Sequence, residues 1–416
     1  TCMNTTWSSR SINPELVKGL VDLASEERHN WDSWGNGFEW VTLMNAGQLP
    51  AAAALLAKHE ARLCTVTALN KQLAEPVTTL AYHFDVHGYT VTVTVPLDPA
   101  ENSVPTITPW FRNADWNERE FAELFDVHVD GNTNPKRLFL DPEIDEGILN
   151  EVIPLTIMMN GACTKDMWER IMEVNAEPGE EVEKGVYFHL DVDGETVRKV
   201  EITSGHVHRG MEGMATQRNF FKNTTLTERV CSLCSNSHSL TYCMAVENVL
   251  GMTPPPRAQY LRVLAEETKR VASHLFNIAI FAHNVGFKSL FLHIMEVREN
   301  MQDVKETIYG NRMNLSANCI GGVKFDMDDS LTMYMLERLD TVEEAVKRVE
   351  KVFRTDPLIA KRSRGVGVLS REDAWALGVV GPVARGSGLD IDVRKNTPYL
   401  VYPDLYFDIV KEQDGD

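Results

Sequence analysis

Among the seven cysteines of this sequence, one spacing stands out, the Cys-x-x-Cys pair of Cys231 and Cys234. Two thiolates on one tight turn can bind a single metal ion together. Arg229 precedes the pair by two residues, where its cation would lower the thiol pKa values. His238 follows Cys234 by four residues, within hydrogen-bonding reach of a sulfur. Without its context, the cysteine pair is equally compatible with a metal half-site, a redox dithiol or a chance spacing. Without the cysteines, His238 would be better explained as a structural histidine.

The surrounding sequence disfavours two of the chemistries open to this pair. A thioredoxin-like dithiol needs a preceding strand and a small βαβ domain, whereas this motif follows Thr224–Thr227 and enters a helix-rich region. A zinc site needs a second close pair of Cys or His ligands, and His206-Val-His208 is the nearest candidate. An odd number of thinly spread cysteines indicates free, mostly buried thiols in a reducing compartment rather than disulfides.

Composition excludes several broad classes of function. The chain of 416 residues is long enough for two or three domains, and its net charge of −19 argues against binding nucleic acid or an anionic membrane through its overall field. No run of about 18 apolar residues is present, so we expect no transmembrane segment. The N-terminus lacks a basic stretch followed by an apolar one, so we expect no signal peptide.

Residues 1–150 are predicted to form one α+β domain, which ends just after the acidic, turn-like Asp141–Gly147. Its predicted elements are, in chain order, a helix in 12–28, a helix in 47–62, two alternating strands in 78–97 that turn at His87-Gly88, and a short helix in 116–125 with an apolar stripe at Phe121, Leu124 and Phe125.

Residues 151–416 are predicted to form a mainly α-helical bundle domain with a small β-hairpin region, so the fold class is α+β. The hairpin occupies 186–203, with Asp193-Gly194 as its turn. Long helical patterns cover 257–284, 288–309 and 331–353, punctuated by prolines and glycines. The tail after Gly381 is irregular, and Tyr406–Val410 has the alternation of a strand.

The pattern Arg229-x-Cys231-x-x-Cys234-x-x-x-His238 resembles the first metal-binding signature of the [NiFe] hydrogenase large subunit, with Ser232 where that family commonly has Gly. The stretch from His208 to Glu212 resembles the family's Arg-Gly-x-Glu element. Residues 257–325 look like the energy-converting, formate-hydrogenlyase-type branch, which is similar to the quinone-site subunit of respiratory complex I. Residues 78–141 resemble the companion subunit of complex I, often fused in front. The resemblance spans roughly residues 75–416, apart from a stretch near 160–185.

The resemblance implies a nickel–iron centre held by four cysteine thiolates. Cys231 would be a terminal nickel ligand and the first base in heterolytic cleavage of H2, and Cys234 would bridge nickel and iron. Glu212 matches the carboxylate that relays the proton outward, although from spacing alone a solvated helix-end carboxylate is the better interpretation. His238 would tune the bridging sulfur by hydrogen bonding, and Arg229 would lie beside the centre.

One part of the family pattern is absent from this sequence. The second cysteine pair, Asp-Pro-Cys-x-x-Cys, does not occur, and Asp356-Pro357 continues as Leu-Ile-Ala. Two thiolates cannot close a four-thiolate site. We therefore expect either that the chain is a truncated form that continues beyond Asp416, which the unpartnered strand-like end favours, or that it belongs to a related complex that has lost the metal.

The leading hypothesis is a catalytic large subunit of a membrane-associated, energy-converting hydrogenase on the cytoplasmic face of the membrane. It would pass electrons to an iron–sulfur small subunit, because this chain lacks the cysteines for those clusters, and would assemble with membrane subunits. One alternative is a nickel-free, complex-I-like quinone or ferredoxin oxidoreductase. Another is a non-catalytic scaffold subunit, in which residues 1–150 serve only for docking.

Overall fold

The computed structural model describes residues 12–69, 78–139, 147, 187–194, 196–205 and 208–411. The chain divides into two compact units, residues 1–209 with 372–379 and residues 210–371 with 380–416. The first unit carries a sheet and the second is mainly helical, which confirms the α+β prediction. Residues 140–146 and 148–186 lie outside the described residues, so the domain boundary near residue 150 stays a prediction.

The first unit is built on a five-stranded sheet of order β1-β2-β5-β4-β3. Its strands are β1 (Ala24–Trp31), β2 (Gly37–Leu43), β3 (Arg62–Leu69), β4 (Thr79–Val86) and β5 (Tyr89–Pro96). Strands β2 and β5 are parallel, and the other neighbours are antiparallel. Between residues 12 and 139, the helices of this unit are α1 (Pro14–Val21), α2 (Leu49–Lys58) and α3 (Ala114–Phe125), with a 3-10 turn at Ala46–Gln48.

Alternate strand residues form the core of the first unit together with its helices. The fully buried side chains of this core include Leu16 of α1, Leu56 of α2, Val41, Tyr82 and Val91. Period-two burial along β2 and β5 is the pattern of strands with one covered face. The strands predicted in 78–97 and the helix predicted in 116–125 are therefore confirmed.

The helix predicted in 12–28 is wrong beyond Val21. Helix α1 ends there, and Ala24–Trp31 forms strand β1 instead, which pairs with β2. Residues 25–31 are exposed, so this segment has no apolar helical face to bury. Pairing with the edge of β2 satisfies its backbone, and tertiary context thus overrides the local pattern.

The turn between β4 and β5 lies at His87-Gly88, as predicted. Both residues have positive φ, +52° and +86°, which a type I′ hairpin turn requires. The Asp85 carboxylate accepts a hydrogen bond of 2.7 Å from the Gly88 N–H. Conformational freedom at Gly88 therefore sets the register of the two central strands.

We expect Gly88→Ala to lower the free energy of unfolding of the first unit by about 1 kcal/mol, because a Cβ is strained at positive φ. His87→Asn is the matched control, since asparagine tolerates positive φ well. Thermal unfolding of both variants measures the effect. An unchanged melting temperature for Gly88→Ala would contradict the assigned turn.

Two further strand pairs complete the β structure of the first unit. Strands β6 (Ser103–Pro105) and β7 (His128–Asp130) are parallel, and β8 (Tyr187–Asp193) and β9 (Thr196–Thr203) form an antiparallel hairpin. The hairpin predicted in 186–203 is confirmed, with its turn at Asp193-Gly194.

Helices dominate the second unit. They are α4 (Met211–Thr216), α5 (Phe220–Thr227), α6 (Ser235–Leu250), α7 (Pro256–Asn284), α8 (Lys288–Tyr309), α9 (Asp329–Thr355), α10 (Pro357–Ser363), α12 (Gly381–Gly386) and α13 (Val393–Asn396). The short helix α11 (Arg371–Ala376) precedes α12 in the chain but falls almost wholly in the first unit. A small hairpin of β10 (Asn318–Cys319) and β11 (Gly322–Val323) follows α8. A 3-10 turn lies at Tyr402–Asp404.

The three long helices predicted from the sequence are confirmed as α7, α8 and α9. Helix α7 begins at Pro256, because proline has no N–H to leave unsatisfied in the first turn. Helix α8 ends at Gly310, which adopts φ +74°. The apolar faces of the three helices pack into one core that contains Ala272, Ile294 and Val342. None of the helices in the described ranges is both long and apolar enough to cross a membrane.

The strand predicted at Tyr406–Val410 is wrong. These residues are irregular, and the Tyr406 side chain is 90% exposed. The Phe407 ring lies instead under the Arg394 guanidinium and the Lys395 ammonium, at 4.5 and 4.2 Å from their charged centres. Cation–π contacts rather than a ladder hold this segment.

Candidate metal centre

The Cys231–Cys234 turn connects α5 to α6 in the second unit. Cys234 is the N-cap residue of α6, with non-helical backbone angles of φ −115° and ψ 30°. Cys231 and Cys234 are both partly buried. The free N–H groups of a first helical turn stabilise a thiolate, but at Cys234 they do not outweigh the burial of the thiol.

His238 lies one turn along α6 from Cys234. Its Nε2 atom is 3.5 Å from the Cys234 sulfur, which is the contact that the four-residue spacing predicts. Such a contact can orient a metal-bound thiolate and modulate its basicity.

Burial raises the pKa of both thiols, but the neighbours of each sulfur separate the two values. The pKa of Cys231 is lowered, because the backbone N–H and thiol of Cys234, the backbone N–H of Leu233 and the Lys269 ammonium together outweigh burial. Burial, and then the Cys231 sulfur, raise the pKa of Cys234 to about 11. The metal-free pair therefore gives up its first proton from Cys231.

Arg229 does not act on the thiols in the way that its position in the sequence suggests. Its guanidinium donates to the Glu228 carboxylate at 2.8 Å and to the Thr225 carbonyl at 3.1 Å. Glu228 is 1% exposed, so Arg229 supplies the countercharge of a buried carboxylate. The cation that lowers the pKa of Cys231 is Lys269 on α7. A contact of Arg229 with a cofactor stays a prediction.

Lys269 was not singled out from the sequence, although one signal was present. It lies on the buried face of α7, at helical spacing between Ala265 and Ala272, both fully buried. A lysine on an apolar helical stripe is unusual without a partner. The sequence shows the anomaly, but only the folded chain shows what the lysine faces.

Glu212 lies in the first turn of α4, and its side chain is exposed. This is the environment of a solvated helix-end carboxylate, the interpretation that spacing alone favours. Its role in proton relay stays a prediction.

A buried ion pair fixes α6 against α7. Arg262 is 0% exposed and donates to both carboxylate oxygens of Glu247, at 2.9 and 2.6 Å. Arg262 also donates to the Cys319 carbonyl at 2.8 Å, and the Gly321 N–H donates to Glu247 at 2.6 Å. The orientation of α6, and hence of its N-terminal Cys234, depends on this network.

The donor set fits half of a thiolate site for nickel and iron. Soft sulfur ligands suit both metals. Within the described residues, no group of three or more His, Cys, Asp or Glu side chains converges as a metal site. Cys2, Cys163 and His206 lie outside the described residues, so neither they nor the zinc alternative can be placed. Cys231 and Cys234 would therefore contribute two ligands of a larger set.

Comparison with known families divides the chain into three segments. The family described as Nickel-dependent hydrogenase matches residues 209–283. The family described as Respiratory-chain NADH dehydrogenase, 49 Kd subunit, matches residues 284–416. The 30 Kd subunit of the same respiratory enzyme matches residues 42–160. The cysteine turn, α6 and most of α7 thus fall within the hydrogenase match.

Three relatives of known name illustrate the similarity. A carbon monoxide-induced hydrogenase of Rhodospirillum rubrum is 56% identical over 236 residues, which is 56% of this chain and 65% of the relative. A membrane-bound hydrogenase subunit alpha of Pyrococcus furiosus is 36% identical over 250 residues, 60% of this chain and 58% of the relative. An NADH-quinone oxidoreductase subunit of Dehalococcoides mccartyi is 34% identical over 245 residues, 58% of this chain and 67% of the relative. The chain thus spans about two thirds or less of the length of these relatives.

Proposed function

We propose that this chain, which belongs to the oxidoreductase family shared by nickel-dependent hydrogenase large subunits and the 49-kDa subunits of complex I, is the catalytic large subunit of an energy-converting hydrogenase. The observation that carries this proposal is the pair of thiols at the N-terminus of α6, with His238 3.5 Å from the Cys234 sulfur. The pair lies within the segment that the nickel-dependent hydrogenase family matches.

In this proposal the Cys231 and Cys234 thiolates would be two of the ligands that hold the nickel–iron centre. The bound centre supplies heterolytic cleavage of H2, or its reverse. The Cys231 sulfur, as a terminal ligand of that centre, would accept the proton. His238 positions the Cys234 sulfur through its Nε2 atom, and the exposed Glu212 carboxylate passes the proton toward solvent.

Electrons leave this chain for an iron–sulfur partner subunit. Cys231 and Cys234 are needed as metal ligands at the candidate centre, and the other described cysteines of this chain form no cluster site. The complex is attached to the cytoplasmic face of a membrane through other subunits. The name of the Pyrococcus furiosus relative, a membrane-bound hydrogenase subunit, supports the association with a membrane.

A second candidate is a nickel-free subunit that transfers electrons to quinone or ferredoxin. The matches to the 49 Kd and 30 Kd subunits over residues 284–416 and 42–160 favour it. The cysteine pair is the feature that distinguishes the two candidates, because a quinone site has no chemical need for two thiolates on one turn.

Metal analysis of the intact complex, with H2/D2O exchange, separates the candidates. We expect nickel in the complex and isotope exchange that disappears when nickel is omitted from growth. Absence of both, together with quinone reduction by the nickel-free complex, would reject the hydrogenase and support the second candidate.

We expect His238→Gln to lower H2 turnover by about 10-fold to 100-fold, the range typical of residues that hydrogen-bond a metal ligand. Nickel should remain bound, because both sulfurs persist. The matched control is His293→Gln, since the His293 side chain is 45% exposed on α8, and it should leave turnover unchanged. Equal turnover in both variants would remove His238 from the site.

A further inference from the structure

Three buried basic side chains lie on α7 and α8. Lys269 on α7 is 3% exposed, and Arg298 and Lys305 on α8 are 8% and 1% exposed. Burial, followed by the charges of Lys269 and Arg298, lowers the pKa of Lys305 to about 7. Buried charge of one sign is unfavourable unless an opposite charge compensates it. Burial therefore disfavours the charged forms of Lys269 and Lys305 unless an opposite charge lies nearby.

Lys269 makes a contact that Arg298 and Lys305 do not. Its Nζ donates a hydrogen bond to the carbonyl oxygen of Met313. The hydroxyl of Ser235 donates to the same oxygen at 3.2 Å. Ser235 is fully buried and directly follows Cys234. A single carbonyl thus connects the buried lysine to the first residue of α6.

The loop that carries this carbonyl bonds both flanks of the cysteine turn. The Met313 N–H donates to the Asn311 side chain at 2.7 Å, which shapes the loop. The Ser316 N–H donates to Glu228, upstream of Cys231, at 2.7 Å. Because Met313 binds downstream of Cys234 and Ser316 upstream of Cys231, the loop holds the turn at its two ends.

The charges of Lys269 and the thiolates also act on each other. Burial and Arg298 lower the pKa of Lys269, whereas Glu228, Cys231 and Cys234 oppose that shift. A divalent metal bound by several thiolates carries net negative charge, and a buried cation stabilises it in a low-dielectric environment. Lys269 therefore combines a hydrogen bond to the loop that holds the cysteine turn with a positive charge that can stabilise metal-bound thiolates.

We propose that Lys269 is a positioning residue of the metal centre, which anchors the Cys231–Cys234 turn through the Met313 carbonyl and compensates the negative charge of the metal-bound thiolates. The charge-compensating part rests on the proposed function. The claim that Lys269 anchors the turn rests only on the Met313 carbonyl that Lys269 and Ser235 share, and it holds with or without metal.

The test compares Lys269→Met with Lys305→Met in the purified complex. Both remove a buried lysine, but only the first removes the bond to Met313. We expect Lys269→Met to lose nickel to a chelator about 10-fold to 100-fold faster than the unsubstituted complex, and Lys305→Met to lose it at close to the original rate. Lys269→Arg, which keeps the cation, should recover most of the retention.

Hydrogen exchange of the backbone amides at residues 239–242, which donate to the carbonyls of the first turn of α6, supplies a second readout that needs no metal. Exchange should accelerate in Lys269→Met and by about fivefold in Ser235→Ala, which removes one hydrogen bond to the same carbonyl, but not in Lys305→Met. If Lys269→Met and Lys305→Met behave alike in both measurements, Lys269 has no special position and the inference is wrong. A complex without nickel rejects the proposed function, while amide exchange still decides on the anchor.

Discussion

Replacing Cys231 with serine is expected to remove nickel from the complex and to lower H2/D2O exchange by about a thousandfold or more. A serine hydroxyl is a hard donor and stays protonated at neutral pH, so it cannot replace a soft thiolate on nickel. The loss should exceed the 10-fold to 100-fold typical of residues that only hydrogen-bond a ligand. Nickel content and isotope exchange, measured on the same preparation, test this expectation.

Cys64→Ser is the matched control for the Cys231 variant. Cys64 is exposed on β3 in the first unit, so its replacement should change neither nickel content nor exchange. Cys234→Ser should match the defect of Cys231→Ser. If Cys231→Ser retains nickel while the complex stays assembled, the pair does not bind the metal, and the nickel-free alternative gains support.

Arg262→Met is expected to destabilise the second unit by about 3 to 5 kcal/mol, because it leaves the Glu247 carboxylate buried without its partner. The two side chains are 0% and 4% exposed, and the guanidinium contacts both carboxylate oxygens. The cost should appear as faster amide exchange in α6 and α7 and as a lower urea midpoint. Loss of nickel should follow, because α6 carries Cys234.

The double variant Arg262→Met with Glu247→Leu provides the control for this ion pair. Replacement of both charges by apolar groups removes the uncompensated carboxylate, and buried pairs are often replaced in this way at little cost. We expect the double variant to be more stable than Arg262→Met alone, although the Gly321 N–H loses its acceptor. A double variant less stable than the single one would show that the backbone bonds of the network, rather than the charges, hold α6 in place.

The elements that were predicted correctly from the sequence have strong local patterns. Helices α7, α8 and α9 have long apolar periodicity, and the β4–β5 hairpin combines alternation with a turn glycine. Two predictions were wrong, the helix where β1 forms and the strand at Tyr406–Val410. In both segments the local pattern did not decide the structure. Strand β1 forms because β2 offers an edge, and the tail stays irregular because it rests on Arg394 and Lys395. Both outcomes depend on residues outside the segment itself.

For the candidate centre, the sequence alone determined the contacts whose partners lie within one helical turn. The Cys-x-x-Cys pair and the Cys234–His238 contact follow from spacing, since a helix brings residues four apart to the same face. The tertiary structure alone decided which charges surround the pair. It buries Glu228 against the Ser316 N–H and brings Lys269 to the Met313 carbonyl. The electrostatic interaction between two charged groups depends on their distance in space. For groups far apart in the sequence, the packing of helices such as α7 and α8 sets that distance.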